Sequence, residues 1–155
     1  MDPITAELTE PELERWGEAI GRAARPPLVL ALRGDLGAGK STLARAVARG
    51  AGVEGAMPSP TFNLLFRYPA RDGVAVVHLD LYRLTDPDEV WELGWADLPE
   101  PNELVLVEWP ERAESLLPEP RWEVSLAESA GGERRAVEAW PVGSPPPLPG
   151  PGGGA

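Results

Sequence analysis

Eight consecutive residues, Gly34-Asp35-Leu36-Gly37-Ala38-Gly39-Lys40-Ser41, match the pattern G-x-x-x-x-G-K-[ST]. That spacing suits a loop that cradles phosphates. Successive backbone N–H groups in a glycine-rich turn curl into a nest that fits phosphate oxygens. The helix that follows such a loop adds the positive end of its dipole. Glycines at 34, 37 and 39 let the main chain approach closely and take dihedrals closed to other residues. Lys40 is the only lysine in the chain, all other basic positions being arginine. A compact ammonium reaches between phosphates in a tight loop where a planar guanidinium does not fit in the same way. Lys40 is therefore expected at the β- and γ-phosphates, Ser41 as a hydroxyl ligand to Mg²⁺, and Thr42 in reach of the α-phosphate.

Magnesium prefers hard oxygen ligands and retains several waters. Phosphoryl-transfer proteins with this loop supply a carboxylate from the end of a neighbouring strand. Two acids stand in that kind of position: Asp80 after Val74-Ala75-Val76-Val77-His78-Leu79, and Glu108 after Leu104-Val105-Leu106-Val107. An acid at the end of a buried strand needs a reason to be there. His78 is the single histidine and there is no cysteine, so the usual zinc ligand sets are not supplied; His78 reads as a packed structural residue.

These groups need elements to position them. Thr9–Ala24 is expected to be helical, with Thr9 and Glu12 as a capping box and Leu13, Trp16, Ile20 and Ala24 on one apolar face. Leu28–Leu32 is a continuous apolar run, suited to a strand buried on both faces. Ser41–Arg49 is expected to be the helix after the loop, closed by Gly50. Thr61–Tyr68 and Val74–Leu81 are expected to form an antiparallel hairpin around Pro69–Gly73. Asp86-Pro87-Asp88-Glu89 starts a helix that ends at Gly94. Leu104–Val107 is a further buried strand, Glu111–Leu117 a short helix, and Arg121–Ala127 with Arg134–Trp140 a second hairpin. The expected architecture is a three-layer α/β P-loop fold whose parallel core sheet is extended by antiparallel strands.

With 155 residues, the chain suits one domain. Proline and glycine dominate from Pro141 onwards, so residues 1–140 are expected to fold and residues 141–155 to form a disordered tail. No apolar run approaches the length that spans a bilayer, and no signal peptide is legible. Together with the lack of cysteine, this fits the cytoplasm. The formal net charge of -11 repels a phosphate backbone, so direct nucleic-acid binding is not expected and any nucleic-acid substrate must be held by a partner.

Beyond the glycine-rich loop, the segments Ser59-Pro60-Thr61-Phe62, His78-Leu79-Asp80-Leu81-Tyr82-Arg83-Leu84 and Val107-Glu108-Trp109-Pro110 occur in that order. Together with the loop they resemble the TsaE (YjeE) family of bacterial ATPases, over nearly the whole chain up to the tail. The resemblance implies ATP and Mg²⁺ as ligands. It also implies a part in making the threonylcarbamoyladenosine modification of tRNA with TsaB and TsaD, where ATP hydrolysis resets the complex and tRNA is met only through those partners. By the same resemblance, Glu108 is the Mg²⁺-binding glutamate, Asp80 a Walker-B-like acid that polarises the attacking water, and Thr61 part of a switch near the γ-phosphate. Trp109 lies beside the nucleotide, and Thr9 and Arg134 lie near the base. The rival reading is a small-molecule P-loop kinase, which would need arginine-bearing lid segments and an acceptor pocket; the span from Pro58 to Tyr82 leaves little room for a lid.

Overall fold

In a computed structural model of the chain, residues 2–55, 57 and 64–152 are described. Seven strands form one sheet in the order β1-β7-β6-β2-β5-β4-β3: β1 Ile4–Leu8, β2 Leu28–Arg33, β3 Leu65–Pro69, β4 Ala75–Asp80, β5 Glu103–Glu108, β6 Arg121–Glu128 and β7 Arg135–Val142. Strands β6, β2, β5 and β4 run parallel to one another. The three remaining pairings, β1 with β7, β6 with β7 and β3 with β4, are antiparallel. The expected parallel core with antiparallel extensions is what the chain forms.

Alternation along the central strands sends side chains to two cores. Leu28, Leu30 and Leu32 of β2, with Leu104 and Leu106 of β5, meet helices α1 (Glu10–Ala23) and α2 (Lys40–Ala51) on one face. Val29, Val77, Leu79, Val105 and Val107 face the other way. There the cover is made of 3-10 turns at Pro87–Leu93, Trp95–Asp97 and Pro110–Leu116. The sequence predicts a helix at each of the first and last of these. The Asp86–Glu89 capping box and the left-handed Gly94 at the far end are both present. Trp109 before the last turn and Ala113 inside it have non-helical dihedrals, which keeps that segment short.

Three further differences have local causes. β1 was not expected; it is a five-residue edge strand whose alternation is half hidden by small and polar residues. α2 runs past Gly50 to Ala51 and is closed by Gly52, at φ 101°. Gly50 instead lies where the two helices touch: a Cβ there would sit 2.1 Å from the Glu18 carbonyl oxygen. Lastly, β7 continues beyond Trp140 to Val142, and the proline-rich segment after it is tied down. The Trp122 indole donates to the Pro146 carbonyl at 2.7 Å and the Trp16 indole to the Pro149 carbonyl at 2.8 Å. Leu148 packs against the helix-side core. Proline lacks a donor but keeps its carbonyl, so buried indoles can hold a segment that composition alone reads as loose.

Candidate functional site

The parallel register brings three strand ends side by side. Asp80 at the end of β4 pairs with Glu108 at the end of β5, and Glu108 pairs with Leu32 of β2. One residue past β2 the glycine-rich loop begins. Ligands of open α/β sheets sit beyond these carboxyl ends, and a cavity of about 350 Å³ opens there. A larger one, about 460 Å³, lies along α2 at Arg45, Ala48 and Met57. Its lining has no carboxylate and does not reach the strand ends, so the chemistry concentrates in the first.

Two glycines of the loop are dictated by contact. Gly34 has φ 147°, and a Cβ there would lie 2.4 Å from the Leu126 carbonyl oxygen. Gly39, at φ 108°, is the N-cap of α2 and offers no side-chain cap. The first-turn amides of α2 therefore have no side-chain acceptor from the cap, and they face the cavity lined by Gly39, Lys40, Ser41 and Thr42. The base of the loop is anchored by charge. Arg33 donates to Glu123 at 2.5 Å and to Glu114 at 2.8 Å, and Arg121 donates to Glu123 at 2.7 Å. Burial alone would raise the Glu123 carboxyl; the two guanidiniums outweigh it and hold the group below its usual value.

Lys40 is 5% exposed. Its ammonium donates to the Gly34 and Asp35 carbonyls and lies 3.8 Å from the centre of the Trp109 ring. Burial pushes the ammonium below lysine's usual value, against the pull of Glu108, Glu111, Asp35 and Asp80. Ser41 Oγ donates to Glu108 Oε1 at 3.0 Å, and His78 Nε2 lies 2.6 Å from Glu108 Oε2. Asp80 accepts from the Tyr82 amide at 3.1 Å. Its carboxyl is raised, first by burial and then by the Glu108 charge. Trp109 sits at φ 57°, ψ 49°, a left-handed conformation that costs a non-glycine residue roughly 1–2 kcal/mol. The conformation aims its ring at Lys40 and at Tyr82, 4.9 Å away between centroids. Strain kept at a polar cavity is a mark of a working site.

Of the residues expected at the site, Leu36, Gly37, Gly39, Lys40, Ser41, Thr42, Asp80, Glu108 and Trp109 line the one cavity. Gly34, Asp35 and Ala38 build the loop behind it. Thr61 lies outside the described residues. Thr9 and Arg134 stand apart from the lining: the Thr9 hydroxyl caps α1 by accepting from the Glu12 amide, and Arg134 lies 3.6 Å from Glu12 on the same helix. The lining on that side comes from their neighbours, Glu10, Leu13 and Arg135. Arg135 is the first residue of β7, whereas Arg134 lies in the bend before it, and there it meets Glu12 instead of the cavity. Tyr82 also lines the cavity and received no role from sequence, although it stands two residues after Asp80.

The donor set can be tested against a metal. Ser41, Asp80 and Glu108 offer hard oxygens of the kind magnesium takes. Among the described residues, no three His, Cys, Asp or Glu side chains are placed to hold a metal by themselves. A hydroxyl and one or two carboxylates beside a phosphate nest fit a cation that arrives with phosphate oxygens and waters.

Comparison with known proteins points to one family. Residues 8–137 match the family model described as Threonylcarbamoyl adenosine biosynthesis protein TsaE. The tRNA threonylcarbamoyladenosine biosynthesis protein TsaE of Treponema pallidum is 34% identical over 125 residues, which are 81% of this chain and 91% of that protein. The Bacillus subtilis protein of the same name is 37% identical over 122 residues, 78% of this chain and 74% of its own. The Haemophilus influenzae protein is 41% identical over 92 residues, and the match spans 58% of its length. Among solved structures, Bacillus subtilis YdiB superposes with a TM-score of 0.68 at 27% identity, covering 92% of this chain and 87% of that one.

Proposed function

The chain belongs to the TsaE family of tRNA threonylcarbamoyladenosine biosynthesis proteins, and from that premise we propose that it is the subunit that binds and hydrolyses magnesium-ATP for the modification. The observation that carries this reading is the meeting of Lys40, Ser41, Glu108 and Asp80 at three adjacent strand ends, with Ser41 and Glu108 already joined at 3.0 Å.

In this reading the amides of the loop and of the first turn of α2 hold the phosphates, and the Lys40 ammonium leaves its carbonyl partners for phosphate oxygens. Ser41 and Glu108, with Asp80, would hold magnesium, which when bound withdraws charge from the phosphates being cleaved. Asp80 orients the attacking water and takes up its proton. Trp109 and Tyr82 wall the cavity and keep Lys40 within it. Arg135 and Leu13 supply the opposite side, in place of Arg134 and Thr9.

TsaB and TsaD are the proposed partners, and the tRNA is met through them. A net charge of -11 suits a subunit that does not hold the polyanion itself. No helix among the described residues is long and apolar enough to cross a membrane, and the proposed location is the cytoplasm, beside the tRNA.

The test is isothermal calorimetry of the purified chain with magnesium-ATP, followed by phosphate release with and without TsaB and TsaD. Binding, and turnover that the partners raise, is the expected result. Heat indistinguishable from dilution in both settings would overturn the proposal.

A further inference from the structure

His78 is a buried titratable group beside the site that the mechanism above leaves without a task. It is 2% exposed and lies on β4 two residues before Asp80, on the same face of the sheet. Its register partner is Leu106, so Glu108 is its diagonal neighbour on β5. The Nε2–Glu108 Oε2 contact of 2.6 Å spans that diagonal, while Glu108 Oε1 receives the Ser41 hydroxyl. Both oxygens of a carboxylate that is itself 2% exposed are thus held by side chains from two different elements.

The other ring nitrogen decides the tautomer. His78 Nδ1 is buried and has no hydrogen-bond partner among the described residues. A proton there would be an orphaned donor, which is costly, whereas a bare ring nitrogen costs less. The arrangement therefore places a ring proton on Nε2, donating to Glu108. The ring is satisfied on the side of the site alone. A donor on that side fixes the orientation of the carboxylate, which is what a cation ligand requires of its support.

We propose that His78 is a positioning residue: its Nε2–H aims the Glu108 carboxylate, across from Ser41, at the magnesium of a bound nucleotide. The proposal rests on the functional reading given above.

Two measurements test it. The chain has a single histidine, so ¹⁵N-labelled imidazole gives one pair of resonances in the nucleotide-free protein. A ring with a proton on Nε2, whose Nε2 resonance moves in Glu108→Gln, is expected; a ring bare at Nε2, or one indifferent to Glu108→Gln, overturns the proposal. The second measurement is ADP affinity by calorimetry, in excess magnesium and in EDTA. His78→Phe should lower the gain in affinity that magnesium confers by about tenfold, leave affinity in EDTA unchanged, and be rescued by His78→Gln, which keeps a donor. Equal losses in both buffers, or no rescue, would make His78 a mere core residue. If the phenylalanine variant does not fold, the NMR measurement decides, since it needs no change at position 78. Failure of the functional reading shows separately, as wild-type protein that takes up no magnesium-ADP, and it would overturn both.

Discussion

Lys40 is held ready by groups that are weak competitors for it. Its partners are two loop carbonyls and an aromatic face, and phosphate oxygens offer more charge than any of these. Replacing Lys40 with alanine should leave the fold intact by circular dichroism while phosphate release falls by about a hundredfold or more, the scale of losing one preorganised charge donor. Turnover within a factor of two of the parent would remove Lys40 from the mechanism. Asp80 makes the opposite bargain. Burial raises its carboxyl above the usual value, so the folded chain binds that proton more tightly than the unfolded chain does. The charged group therefore costs stability above the ordinary carboxylate range and costs nothing below it. Asp80→Asn should melt higher than the parent near pH 7.5, with the gap closing as pH falls through that range, while its turnover drops more than its nucleotide affinity. A variant that melts lower at pH 7.5 would show that the carboxylate stabilises the fold. These residues were legible because their signal is local: a fixed motif, and two acids each ending an apolar run. Tyr82 and Arg135 carry no such local mark, since what distinguishes them is the direction in which the chain turns.

At the scale of elements, the segment from Leu28 through α2 was readable because an apolar run, a glycine-rich loop and a helix each bear their own pattern. β1 was not, since an edge strand half exposed to solvent needs no continuous apolar run. Gly50 is the instructive case. In sequence it looks like a helix stop, yet its role is set by α1, which lies far off in the chain. Gly17 and Gly21 on α1 face the same junction, each leaving less than 3 Å for a Cβ. Helix propensity favours Gly50→Ala by about 1 kcal/mol. Against that, the new methyl group would meet the Glu18 carbonyl oxygen at 2.1 Å, and backbone on both sides must move. Overpacking of this kind costs about 1–3 kcal/mol, and more where backbone is the obstacle. We expect the clash to win, with the variant melting several degrees below the parent. An equal or higher melting temperature would mean that the two helices can part at little cost. α2 carries Lys40 and Ser41, so the same variant should also weaken nucleotide binding.

For the molecule as a whole, the acidic composition, the lack of cysteine and the parallel core were all visible before any coordinates. The fate of the C-terminal segment was not. Composition describes what a segment cannot bury by itself, and it is silent on what the rest of the domain leaves open for it. Here Trp16 on α1 and Trp122 on β6, both nearly fully buried, direct their indole N–H groups outwards to the carbonyls of Pro149 and Pro146. Leu148 packs against the same core. Removing residues 143–155 would hand both donors to water, at about 0.5–1.5 kcal/mol net for each bond lost. It would also expose Leu148's share of the core, worth at most about 2 kcal/mol for a side chain already half-buried. Together these come to about 3 kcal/mol, or a fall in melting temperature of about 6–12 °C for a domain of this size. Among the described residues, the cavity at the strand ends takes none from this segment, so magnesium-nucleotide affinity of the truncated chain, measured well below its melting point, should stay within a factor of two of the parent. A truncation that leaves the melting temperature unchanged would show that the two tryptophans are as well served by water. One that instead weakens nucleotide binding at low temperature would show that the strap holds α1 against the loop.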